Sequence, residues 1–177
     1  MLSDETVNEY DKTYHMNPVA IEEIKAYYAD NAQDISFWPV NDKCEAFLDI
    51  IWAVTHDLCN GNEIQVVIDS NDNLYCSEGN PGLVWFNQND KSIFGMKLPI
   101  KAWIHTHPFG SAFFSGTDWS TINTWRPMME YAIVVGDNEY YSYNLKSSTS
   151  KFVKYKFADV GPQRIRPNLY DFSGEEE

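Results

Sequence analysis

His105 and His107 stand two residues apart at the end of the apolar run Ile100-Lys-Ala-Trp-Ile-His-Thr106, and Asp118 follows behind a loop containing Pro108 and Gly110. Side chains of a strand alternate between its faces, so two histidines at i and i+2 project from one side and reach one ion. Asp118, on the first turn of the next predicted helix, adds an oxygen donor. Two imidazoles and a carboxylate form a zinc donor set that leaves the fourth tetrahedral position to water, the pattern of a hydrolytic rather than a structural centre. Ser115 brings a hydroxyl three residues before Asp118. The same Ser-x-x-Asp spacing is also a helix-capping arrangement, worth about 1 kcal/mol without any metal. The two roles are compatible, because a capped first turn holds Asp118 rigidly.

These residues need elements to carry them. Asn17-Pro18 supplies a cap and a first-turn proline before Ile21, Ile24 and Tyr28, which recur at helical spacing and predict a short helix packed on the main body. Phe47, Ile50, Ile51, Val54 and Leu58 predict a core helix from Asp42, stopped by Asn60-Gly61. The β-branched run Glu63-Ile-Gln-Val-Val-Ile68, the turn-prone Asp69-Ser-Asn-Asp-Asn73 and Leu74-Tyr-Cys76 predict a hairpin. Residues 77–99 read as irregular, with Trp85 and Phe86 as candidates to line a groove. A buried strand over 100–106, a helix over 116–125 ended before Pro127, and a hairpin of Tyr131–Val135 and Glu139–Leu145 around Gly136-Asp-Asn138 follow. A last strand is expected over 151–158. The fold class is therefore α+β, a central mixed sheet flanked by helices.

The chain has 177 residues and a formal charge of −13, from 26 acidic and 13 basic residues. Such a field repels phosphate backbones and anionic headgroups, so neither nucleic acid nor membrane is an expected partner. No run approaches the roughly 18 apolar residues of a membrane span and no signal-peptide pattern opens the sequence, so a soluble cytoplasmic protein is expected. Eight acids against Lys12 and Lys25 mark residues 1–40 as an acidic N-terminal extension. Residues 41–158 form the main domain, and 159–177 a solvated tail. Cys44, Cys59 and Cys76 are odd in number, lack a C-x-x-C pair and read as reduced thiols.

His105-Thr-His107-Pro108, six further residues and then Ser115-x-x-Asp118 closely resemble the signature H-[S/T]-H-P-x6-S-x-x-D of the JAMM (MPN+) zinc metallopeptidases. The order of elements over about residues 42–158 is similar too. The resemblance implies a cytidine-deaminase-like α/β/α core of the JAB/MPN type. It implies that His105, His107 and Asp118 bind zinc, that Ser115 helps hold the oxyanion, and that an upstream glutamate moves the proton of the attacking water. Glu63 is that glutamate, because it opens the strand after the core helix; Glu45 and Glu78 are the alternatives. The implied reaction is hydrolysis of amide or isopeptide bonds after the C-terminal Gly-Gly of ubiquitin or a ubiquitin-like protein. Phe114 stands where many members have proline. Metallo-β-lactamases fit worse, since Phe109 occupies the position of their aspartate, and amidohydrolase barrels need a longer chain. A non-catalytic MPN-type scaffold, or a JAMM hydrolase acting on an unrelated peptide or small conjugate, is the alternative.

Overall fold

Asn17 and Pro18 start the first helix as their types dictate. In the computed structural model, which describes residues 16–79 and 95–158, Asn17 Oδ1 accepts the Val19 N–H at 2.8 Å and Pro18 occupies the first turn. The helix α1 (Pro18–Asn31) buries Ala20, Ile24 and Tyr28 against α2 (Asp42–Asp57), and α2 in turn buries Phe47, Leu48, Ile51 and Trp52. Asn60 and Gly61 take positive φ values of 56° and 75°, so the predicted stop is a left-handed turn that glycine and asparagine tolerate.

Six strands follow: β1 (Ile64–Ile68), β2 (Leu74–Glu78), β3 (Ile100–Thr106), β4 (Met129–Gly136), β5 (Glu139–Asn144) and β6 (Thr149–Lys154). They form one sheet in the order β2-β1-β3-β4-β5-β6. All pairs are antiparallel except β3 and β4, which run parallel and are joined through α3 (Gly116–Trp125). The sheet is therefore mixed and flanked by helices, as expected for an α+β chain.

Strand alternation sorts the core into two layers. Val66, Ala102, Ile104, Ile133 and Val135 join α1 and α2 in one apolar cluster; Val67, Trp103, Ala132 and Val134 join Ile122 of α3 in the other. Helices thus cover both faces, which is why β1, β3 and β4 are buried along their length. Met16, Ala20, Ile24, Tyr28 and Phe37 belong to the first cluster, so residues 16–40 share their core with the central region.

One boundary needs correcting. The last strand is Thr149–Lys154 and not 151–158, because its partner β5 has six residues and the register ends at Glu139 opposite Lys154. Beyond that point Phe157 turns inward and stacks on Trp52, ring centroids 5.5 Å apart. Residues 1–15, the groove residues Trp85 and Phe86, and the tail from 159 lie outside the described residues. The three cysteines are free thiols, and burial pushes each of them up from its ordinary pKa.

Candidate metal centre

His105 lies within β3 and His107 one residue past its end, and α3 begins at the far side of the intervening loop. Ser115 is the N-cap of α3, and both halves of a capping box are formed: Ser115 Oγ accepts the Asp118 N–H at 3.1 Å, and Asp118 Oδ2 accepts the Ser115 N–H at 2.8 Å. The cap fixes Asp118 with its carboxylate toward the histidines. His105 Nε2 is 3.1 Å and His107 Nε2 is 3.8 Å from the same Asp118 Oδ2. The three donor atoms lie within 4.8 Å of one another, so this group could hold a metal ion.

Each imidazole is oriented differently. His107 Nδ1–H donates to the Ser111 carbonyl at 2.9 Å, leaving the Nε2 lone pair for the centre. His105 is fully buried and stacks on Trp103, centroids 4.6 Å apart and planes 18° from parallel; the Trp103 indole N–H donates to Gln65 Oε1. His105 Nδ1 has no hydrogen-bond partner among the described residues. Thr106, between the two ligands, faces the other side of the sheet. Its hydroxyl accepts the Ile64 N–H at 3.1 Å and lies 3.2 Å from Thr55 Oγ1 of α2, which ties the end of β3 to the start of β1.

That tie matters for Glu63. β1 pairs with β3 so that Gln65 faces His105; continued by two residues, the register sets Glu63 opposite His107 and on the same face. Glu63 lines an open cleft of about 590 Å³ together with His107, Phe109, Phe113, Ser115 and Asp118. Its Oε1 is buried without a partner. The other two glutamates are placed elsewhere: Glu45 accepts the Tyr140 hydroxyl at 2.8 Å, and Glu78 accepts from Asn62 Nδ2 at 2.9 Å. Neither lines the cleft.

The electrostatics follow the geometry. Burial raises the Glu63 pKa and Asp118 adds to the shift, while His107 opposes it. Burial alone would also raise Asp118, but hydrogen bonds from both histidines and the Ser115 N–H hold it well below the usual carboxylate range. His105 is pushed down by its burial against the pull of Asp118. For His107 burial acts downward too, yet Asp118, the Ser111 carbonyl and Glu63 outweigh it and the pKa is raised. The site thus holds one fixed anion, one imidazole kept neutral and a carboxylate primed to take a proton.

The structure therefore brings together all five residues singled out in the sequence. It adds three that the sequence did not reveal: the Thr106 hydroxyl, the Ser111 carbonyl and Gly61, whose bare Cα lets Phe109 pack so closely that a Cβ would stand 2.8 Å from the ring. Only Gly61 had a local signal, the Asn-Gly pair. The chain matches no protein-family model, no curated protein and no solved structure.

Proposed function

We propose that this chain is a zinc-dependent hydrolase of amide bonds, a JAMM-type isopeptidase acting after the C-terminal Gly-Gly of ubiquitin or a ubiquitin-like protein. The observation that carries the reading is the convergence of His105 Nε2 and His107 Nε2 on Asp118 Oδ2, with the unpartnered carboxylate of Glu63 lining the same cleft. The donor set suits zinc, which takes imidazole nitrogen and carboxylate oxygen in open three-ligand sites. When bound, the metal would acidify water and polarise a carbonyl.

The chain's own residues supply the rest. Glu63, its pKa raised by burial, accepts the proton of the attacking water and returns it to the leaving amine. Ser115 Oγ is engaged as an acceptor by the Asp118 N–H, so its own O–H remains to donate to the oxyanion. Phe109 and Phe113 wall the cleft, and Phe113 is 52% exposed beside His107. The Gly-Gly substrate rests on the resemblance of the His105–Asp118 motif, and the −13 charge suits a basic carrier tail. The cytidine-deaminase-like JAB/MPN arrangement is the finer fold this reading carries, and cytoplasmic residence goes with it.

Elemental analysis tests the centre. Purified protein is expected to hold one zinc per chain, and His107→Ala or Asp118→Ala to lose it. Wild-type protein without stoichiometric metal, or Asp118→Ala that retains it fully, would leave Asp118 a capping residue only.

A further inference from the structure

The Ser111 carbonyl that fixes His107 belongs to a peptide group that is itself held from behind. The peptide between Ser111 and Ala112 points its C=O at His107 Nδ1, and its N–H donates to Glu139 Oε2 at 2.8 Å. A planar trans peptide keeps these two groups on opposite sides, so fixing one aims the other. Glu139 opens β5, is 9% exposed and does not line the cleft. Its other oxygen is 3.5 Å from Lys154 Nζ, on a side chain 80% exposed, which is a weak pairing.

A buried carboxylate is costly to keep, and here its short contact is spent on one loop N–H. The surroundings make the loop a close fit to the β4–β5 hairpin. The His107 N–H donates to the Val135 carbonyl at 2.8 Å, and the Asp137 N–H to the Gly110 carbonyl at 2.9 Å. Between them Gly136 approaches so closely that a Cβ would stand 2.4 Å from the Ala112 nitrogen.

We propose that Glu139 is a positioning residue for His107, acting through the single peptide group between Ser111 and Ala112. The inference rests on reading His105, His107 and Asp118 as a metal centre. A charged acceptor on the N–H polarises the peptide, strengthens its carbonyl as an acceptor and makes His107 Nε2 a better donor to a metal. This is a carboxylate acting on a metal-binding histidine with a peptide interposed.

The test is zinc affinity, measured by competition with a chromophoric chelator on the full chain, with the visible spectrum of the cobalt-substituted protein as a second readout. Glu139→Ala is expected to weaken zinc binding by the roughly 10–100-fold typical of an outer-shell partner and to alter the cobalt spectrum. Glu139→Gln, whose amide oxygen accepts the same N–H, is expected to recover most of the affinity. Lys154→Ala is expected to match wild type. Wild-type affinity in folded Glu139→Ala, or equal loss in Glu139→Gln, overturns the proposal. If Glu139→Ala does not fold, Glu139→Asp carries the test: its carboxylate is one methylene short of Ala112, and unchanged affinity there also overturns it. A wild-type chain that binds no zinc removes the centre itself, a result seen before any variant is made.

Discussion

Asp118 Oδ2 serves two arrangements at once, accepting the Ser115 N–H of the helix cap and facing both histidines. The two can be separated. Asp118→Asn keeps an oxygen for the cap, so its stability in the presence of a chelator should fall by no more than about 1 kcal/mol. Its zinc affinity should fall by more than the roughly 100-fold upper range for an outer-shell partner. Chemical denaturation and chelator competition on the same sample check this, and equal, small effects on both would make the cap the whole role. The ligands and Ser115 were legible in the sequence because they are local: strand alternation aligns His105 with His107, and Ser115 and Asp118 share one helical turn. The supports of His107 were not, since a backbone carbonyl such as that of Ser111 has no sequence signature and the Ala112–Glu139 contact spans 27 positions.

The elements that position the site were read in their correct types, and α3 and β3 to the residue, because a capping box and a sharp apolar run mark them. β6 was misplaced, since an exposed edge strand lacks a burial pattern and its limits are set by β5. The turn between β1 and β2 was read from its composition, but not its reach. Asp69 accepts the N–H groups of Asn71 and Asn73 at 2.9 Å and that of Lys97 at 3.0 Å, together with the Tyr75 hydroxyl at 3.2 Å. Burial alone would raise its pKa; the bonds from Lys97, Asn73 and Asn71 prevail and lower it. A depressed carboxylate contributes stability that is full above the unfolded value near 3.9 and is lost as pH falls through the folded value. Asp69→Asn should therefore cost about 2 kcal/mol at neutral pH, and the gap to wild type should close below about pH 4. Urea midpoints between pH 7 and 3 measure it, and a gap constant with pH would contradict the assignment.

At the scale of the whole molecule, the parallel β3–β4 pair places the histidines at the carboxyl end of β3 and the start of α3 beside them, where a crossover leaves an opening in the sheet. The positive end of the α3 dipole lies at Ser115 and Asp118, which favours the anionic ligand and a developing oxyanion. Among the described residues no helix is long and apolar enough to cross a membrane. Because the donors come from β3, from the loop after it and from α3, metal binding should stabilise the whole fold. Free zinc at 100 times its dissociation constant adds about 2.7 kcal/mol. That corresponds to a rise of roughly 5–10 °C in Tm for a domain of this size, reversible with chelator; calorimetry showing no shift would mean that no specific site binds the ion. The central claim is tested most directly by hydrolysis of a Gly-Gly-linked ubiquitin-like conjugate at matched zinc content in wild type, Glu63→Gln and Glu45→Gln. The account predicts cleavage by wild type, a loss of at least the roughly 10²–10⁴-fold typical of a general acid–base group in Glu63→Gln with zinc retained, and near-normal turnover in Glu45→Gln. Full activity in zinc-loaded Glu63→Gln, or no cleavage by zinc-loaded wild type, would contradict it.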